Sequence, residues 1–191
     1  MGKISASDFK SIVELRKFGV LADVDPHRLP QKEGVIATPC ADGDQMIDVF
    51  TRQVEYAAQA GHAPRPHMLA LNGGALLIAE DSPLNKKLRE DLVYIEHIKG
   101  GIMLKGMRTI VLYTHAPCGA AGLVKLSFVE CIELLIKAKA RISSEIPDAK
   151  VVCFCHIDRE TDGKHKKNTY FVDEERWAEW QRKHPMEVEV A

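Results

Sequence analysis

Apolar residues in this chain form two kinds of run, short continuous ones and longer ones with helical spacing. The continuous runs, most of them rich in β-branched residues, predict buried strands and lie at residues 34–38, 67–71, 108–114 and 150–157. The helically spaced runs lie at residues 10–19, 46–57, 85–99 and 123–140. Because strands alternate with helices, the pattern predicts an α/β fold with a mainly parallel β-sheet flanked by helices.

The C-terminal part of the pattern predicts a hairpin and a short helix. A D-G turn within residues 158–168 connects the strand at 150–157 to a further strand at 169–172. The basic residues 164–167 are then predicted to form a solvated hairpin tip. The last helix follows at residues 174–183.

Length and composition favour one domain over residues 1–191. A chain of 191 residues with 46% hydrophobic and 28% charged residues can bury a core, which argues against intrinsic disorder. We expect residues 1–30 to be an N-terminal helical arm, whose polar end is a surface connection. Glycines 100 and 101 are expected to end the helix at residues 85–99.

Charge and hydropathy limit the partners that we expect. The formal net charge is −1, so no overall field attracts nucleic acid or an anionic membrane, and a small neutral partner is compatible with it. No apolar run approaches the ~20 residues of a membrane helix, and the first 20 residues lack the apolar core of a signal peptide. We therefore expect a cytoplasmic protein.

Cysteine and histidine follow two of the predicted strands. The chain has five cysteines without an export signal, which favours free thiols or metal ligands over disulfides. Cys40 comes directly after the strand at 34–38, and His115 and Cys118 follow the strand at 108–114. Because the carboxyl ends of parallel strands share one sheet edge, these side chains could form a three-ligand zinc site. The alternative is a pair of core cysteines beside a capping histidine.

Three motifs resemble those of the β-class carbonic anhydrases. They are CADGD at residues 40–44, LNGG at 71–74 and HAPCG at 115–119, in the same order and at similar separations. The strand and hairpin that follow are also similar, so that the resemblance covers about residues 30–175.

The resemblance implies a function and a set of site residues. Zn²⁺ would be held by Cys40, His115 and Cys118, and the lowered pKa of its bound water would give zinc-bound hydroxide for the reversible hydration of carbon dioxide to bicarbonate. Asp42 would be the catalytic residue that orients this water. Because the family builds its site at a dimer interface, a homodimer or higher homo-oligomer is also implied.

The first motif departs from the family pattern Cys-x-Asp-x-Arg, because Asp44 stands at the arginine position. Without that arginine, Asp42 loses its tether unless Arg52, Arg65, Arg108 or another subunit supplies a cation. Asp42 could then become a fourth zinc ligand, or stay beside a water-bearing metal. The alternative for both aspartates is helix capping.

Two smaller departures leave further alternatives. Leu71 replaces an arginine of the family, and residues 72–74 favour a tight turn with positive φ over substrate contact. Cys153, Cys155 and His156 form a second cluster, but alternation along a strand places His156 on the other face, so core thiols are favoured.

Three functions stay open at this point. Hydration of carbon dioxide is the first. Hydrolysis of another small electrophile, carbonyl sulfide or carbon disulfide, is the second, and a non-catalytic zinc-binding homologue with Asp42 closing the metal site is the third.

Overall fold

A six-stranded mixed sheet forms the centre of the protein, in a computed structural model that describes residues 3–85, 88–161 and 163–185. The strands are β1 (Leu21–Asp23), β2 (Val35–Thr38), β3 (Pro66–Met68), β4 (Thr109–Ala116), β5 (Lys150–Thr161) and β6 (Lys164–Val172). Their order is β1-β6-β5-β4-β2-β3. Strands β3, β2, β4 and β5 are parallel, whereas β6 is antiparallel to both β5 and β1. The α/β class is as predicted, but the sheet is mixed.

Six helices accompany the sheet in the described part of the chain: α1 (Ala6–Phe18), α2 (Gly43–Gln59), α3 (Glu90–Lys105), α4 (Gly119–Leu123), α5 (Phe128–Glu145) and α6 (Glu174–Lys183). Capping explains several boundaries. Asp42 caps α2, Asp173 caps α6, and Ser127 with Glu130 forms a capping box on α5. No helix of the described residues combines the length and the apolar character that crossing a bilayer requires.

The two faces of the sheet are covered unequally. On one face, Ile110 and Leu112 of β4 belong to the larger core, which includes Ile12 of α1, Ile98 of α3 and Leu135 of α5. On the other face, a smaller core joins α2 to the sheet and contains Val35, Ala37, Val49, Tyr56, Val111, Tyr113 and Phe154. Because residues two apart on a strand share a face, His115 of β4 lies on the α2 face.

Two features near the chain ends differ from the sequence-based expectation. Within the predicted surface connection, Val20 and Leu21 are fully buried, and Leu21 pairs with Val172 as part of β1. Three residues are too few to show a strand pattern. The hairpin is also longer than predicted, because Asp158 pairs with Lys167 inside the β5–β6 ladder, so Lys167 is not at a solvated tip.

Helix α3 continues through the glycines that were expected to end it. The helix ends at Lys105, and Gly106 follows with a φ of +68°. At Gly101 an added Cβ would lie 3.0 Å from Cδ1 of Ile36 and 3.3 Å from the ring of His67. Gly101 therefore allows α3 to approach β2 and β3 closely, and it is a packing residue rather than a helix stop.

Candidate metal centre

Three side chains from two strand ends converge at the carboxyl edge of the parallel strands. Cys40 follows β2, His115 lies near the end of β4, and Cys118 precedes α4. One ligand atom from each of these three residues lies within 4.8 Å of the other two. Cys40 and His115 are buried, and Cys118 is partly buried. The structure thus brings together the three residues that the motifs suggest as zinc ligands.

The donor set fits a zinc ion. Two thiolates and one imidazole are preferred zinc ligands, and ligand atoms bound to one tetrahedral zinc lie about 3.3–3.8 Å apart. The 4.8 Å limit on the separations of these ligand atoms is close to that spacing. Both ring nitrogens of His115 are buried without a hydrogen-bond partner in the described structure. An unsatisfied buried polar atom costs about 1–3 kcal/mol, and a metal bond would satisfy one of these nitrogens.

The two thiols affect each other's ionisation. Interaction with the neighbouring Cys40 thiol, followed by that with His115, lowers the pKa of Cys118 to about 4, against the opposing effect of burial. Interaction with Cys118 and burial both raise the pKa of Cys40. One proton is therefore retained by the pair, and it would have to leave when both sulfurs bind a metal.

The turn after Leu71 holds Cys40 in place. The Gly73 N–H donates a hydrogen bond to Cys40 Sγ at 3.2 Å, from a backbone with a φ of +100°. At Gly74, where φ is +56°, an added Cβ would lie 2.6 Å from the backbone nitrogen of Cys40. The predicted tight turn is confirmed. The hydrogen bond to sulfur was not anticipated, because no sequence pattern shows which backbone N–H meets a side chain from another loop.

Asp42 lies beside the three residues but not among them. Its Oδ1 accepts a hydrogen bond from the Asp44 N–H at 2.9 Å, which is the N-cap interaction of α2. Its Oδ2 lies 3.9 Å from Nε2 of His115. The carboxylate does not belong to the set of ligand atoms that all lie within 4.8 Å. Asp42 thus combines helix capping with a position next to the site.

None of the three suggested arginines contacts Asp42 in the described parts of the chain. Arg52 pairs with Glu55, Arg65 donates to the Glu33 carbonyl, and Arg108 pairs with Asp148. The side chain of Asp44 is exposed. A cation that replaces the missing arginine must therefore come from elsewhere in the chain or from another subunit.

A cavity of about 240 Å³ reaches the site from the side of α1. Its lining includes His115 and Cys118, the apolar side chains of Ile4 and Phe128, and the charged residues Lys3 and Asp8. Such a cavity is large enough for a small linear molecule, and its lining is mixed in polarity.

The second Cys/His cluster does not converge. Cys153 and Cys155 are buried in the larger core, whereas His156 lies on the α2 face and its Nδ1 is 2.9 Å from Oγ1 of Thr169. Burial is the main cause that lowers the pKa of His156 to about 4. Within the described residues, Cys40, His115 and Cys118 are the one group with metal-binding geometry.

Comparisons with known proteins give little further guidance. No family model matches the chain, and no curated protein matches it. A carbonic anhydrase from Streptococcus mutans is 14% identical, with 89% of this chain and 100% of that chain covered and a TM-score of 0.42. The periplasmic domain of a lipopolysaccharide acetyltransferase from Salmonella ser. Paratyphi A is 10% identical, with 80% and 59% covered and a TM-score of 0.39. At these TM-scores neither likeness carries an argument about function.

Proposed function

We propose that this protein is a zinc-dependent, carbonic anhydrase-like enzyme that hydrates carbon dioxide reversibly to bicarbonate. The observation that carries the proposal is the convergence of Cys40, His115 and Cys118, whose ligand atoms lie within 4.8 Å of one another. Neither ring nitrogen of this buried histidine has a hydrogen-bond partner among the described residues. The order and spacing of the three motifs support the same function.

A zinc ion held by Cys40, His115 and Cys118 would act as a Lewis acid and would supply hydroxide at near-neutral pH by lowering the pKa of a bound water. In the balanced reaction, carbon dioxide and water would give bicarbonate and one proton, which would leave to solvent. The cavity beside Cys118, which is lined mainly by apolar residues together with Lys3 and Asp8, would hold the small substrate.

Residues of this chain would prepare the site for that chemistry. Gly73 N–H, which donates a hydrogen bond to Cys40 Sγ, would stabilise the thiolate that Cys40 becomes when it binds a metal. Asp42 would orient a water molecule through Oδ2, since its Oδ1 is already engaged by the Asp44 N–H. The carboxylate then acts as a hydrogen-bond acceptor of fixed direction.

Metal analysis followed by stopped-flow kinetics tests the proposal. We expect about one zinc per chain and measurable carbon dioxide hydration at both pH ~7 and pH ~9. A folded protein that takes up no zinc from a zinc-containing medium would exclude this function and every other zinc function.

A closed, non-catalytic zinc site is the second candidate. It is favoured by the position of Asp42, whose Oδ2 lies 3.9 Å from His115 Nε2, while no arginine of the described residues contacts this carboxylate. In that case the protein binds zinc but hydrates no carbon dioxide at either pH. Activity confined to high pH would indicate that Asp42 occupies the fourth metal position at neutral pH and vacates it at high pH.

Carbonyl sulfide and carbon disulfide, assayed in parallel with carbon dioxide, test the alternative substrates.

We also propose a homodimer or higher homo-oligomer, located in the cytoplasm, as the working form. Leu71 and Leu123, which are 40% and 87% exposed, line one cavity beside α4 and would be covered by a second copy. Light scattering coupled to size-exclusion chromatography measures the mass directly, and a monomer across micromolar concentrations would contradict this proposal.

A further inference from the structure

A lysine from the hairpin reaches the first turn of α2, directly behind Asp42. Nζ of Lys167 donates to the Asp44 carbonyl at 2.8 Å and pairs with Oδ2 of Asp48 at 2.6 Å. The lysine side chain is 25% exposed, so these contacts are partly shielded from water. Lys167 is therefore a cation that contacts the turn in which the motif has an aspartate instead of an arginine.

Lys167 is linked to Asp42 through the backbone of Asp44. Lys167 holds the carbonyl of Asp44, and the N–H of the same residue donates to Oδ1 of Asp42. Asp44 is thus fixed at both of its backbone polar groups. With Oδ1 engaged, the direction of Oδ2 towards His115 is set as well.

Further contacts hold the ammonium group of Lys167 in place. Oδ2 of the buried Asp158 lies 3.9 Å from its Nζ, and this carboxylate accepts from Nε2 of Gln45 at 3.3 Å. His165 Nδ1 lies 3.0 Å from Oδ1 of Asp158. The ammonium group is therefore held between α2 and the β5–β6 ladder, and it offsets the negative charge that gathers there.

We propose that Lys167 is a positioning residue that keeps the Asp42 carboxylate beside the metal site and off the metal itself. This inference rests on the proposed function, because it assumes that Cys40, His115 and Cys118 hold a metal ion. Lys167 acts through Asp44 and touches neither substrate nor metal. Without it, the first turn of α2 loses its anchor and Asp42 is free to rotate towards the metal as a fourth ligand.

Anion binding to the cobalt(II)-loaded protein tests the inference without an activity assay. Cobalt(II) accepts the same tetrahedral ligands as zinc and has visible absorption bands that report its coordination. Azide titrated into the wild-type protein should change these bands, because an open position accepts the anion. In Lys167→Met, Asp42 should occupy that position, and at least a tenfold higher azide concentration should be needed for half of the change.

Control variants separate positioning from a general loss of structure. Lys166→Met changes the exposed neighbour on the same strand and should bind azide like the wild type. Lys167→Arg keeps a cation and should also retain the response. Asp48→Asn removes one partner of Lys167 and should shift the azide titration in the same direction by a smaller factor, which provides a second measurement if Lys167→Met does not fold.

The double variant Lys167→Met/Asp42→Asn decides between the two roles. An asparagine amide is a poor zinc or cobalt ligand, so this variant should regain the wild-type azide response. A merely structural role for Lys167 would lower the melting temperature without rescue by Asp42→Asn. The inference is overturned by an unchanged azide titration in Lys167→Met, or by a metal-loaded wild type that does not respond to azide. A wild type that takes up neither zinc nor cobalt would instead refute the proposed function.

Discussion

His115 and His156 occupy equivalent places on neighbouring strands, yet only His115 has sulfur atoms beside its ring. The two residues are register partners in the parallel pair β4–β5, and each has at least one cysteine within three residues in the sequence. Both ring nitrogens of His115 lack a hydrogen-bond partner in the described structure, and two sulfurs lie close to them. Nδ1 of His156 instead lies 2.9 Å from Oγ1 of Thr169, its Nε2 has no hydrogen-bond partner among the described residues, and both nearby cysteines are on the opposite face of the sheet.

The comparison shows that residue type alone does not make a metal site. Ligands on one strand alternate between faces, so Cys155 and His156 cannot approach the same ion without distorting the strand. Ligands that follow the ends of two adjacent parallel strands are free of this restriction. Cys40 and Cys118 both lie in loops, which can turn their side chains inward to His115.

Replacement of one cysteine in each cluster should give the largest difference in zinc content. Cys118→Ser removes a thiolate ligand, and we expect zinc to fall from about one per chain to below a tenth, measured by elemental analysis after dialysis. Cys153→Ser is the matched change in the core and should leave the zinc content unchanged while it lowers stability, because it buries a hydroxyl. Zinc retained at full occupancy in Cys118→Ser would contradict the assignment of this ligand.

The pH dependence of stability should report the buried, neutral state of His156. Burial lowers its pKa to about 4 in the fold, compared with 6.5 for the unfolded chain. The unfolded state therefore binds a proton between these values and the folded state does not, so stability should fall as the pH falls from about 6.5 to about 4, by up to about 3 kcal/mol. Above pH 6.5 this contribution is constant.

Urea unfolding of the metal-free Cys118→Ser protein at several pH values measures this effect without interference from zinc. His156→Gln in the same background should remove most of the dependence between pH 6.5 and 4. Equal slopes in the two proteins would show that another group titrates in that range.

The glycine turn that supports Cys40 should be sensitive to a single methyl group. Gly74→Ala places a Cβ 2.6 Å from the Cys40 nitrogen at a backbone φ of +56°, and we expect a loss of about 2 kcal/mol in stability together with weaker zinc binding. Gly43→Ala, where nothing lies within 4 Å of the added Cβ, is the control. Thermal unfolding and zinc competition with a chelator measure both properties, and equal behaviour of the two variants would contradict the role of the turn.

Restoring the motif arginine should have the smallest effect. Asp44→Arg removes a negative charge next to Asp42 and adds a second tether, so we expect the carbon dioxide hydration rate to rise a few-fold at unchanged zinc content. The gain is small because Lys167 already holds this turn. If hydration is no faster in Asp44→Arg, the missing arginine does not limit the reaction.

The strands and helices that the hydrophobic pattern predicts are largely present, and the exceptions have local causes. Periodicity reports the burial of side chains along one element, so α2, β4 and α6 were predictable. The pattern cannot show that Gly101 allows a close approach of α3, because this depends on Ile36 and His67 of other elements. It likewise missed the continuation of the hairpin through Asp158 and Lys167, whose side chains pack against α2.

By itself, the sequence determined the residue types of the candidate site and the strand ends at which they stand. Strand ends can be predicted because apolar runs stop where the backbone leaves the sheet. Only the tertiary structure decided that Cys40, His115 and Cys118 meet, that Gly73 contacts a sulfur, and that Lys167 approaches the turn after Asp42. Each of these contacts joins residues from separate elements, and their distances depend on how the sheet and helices pack rather than on any local pattern.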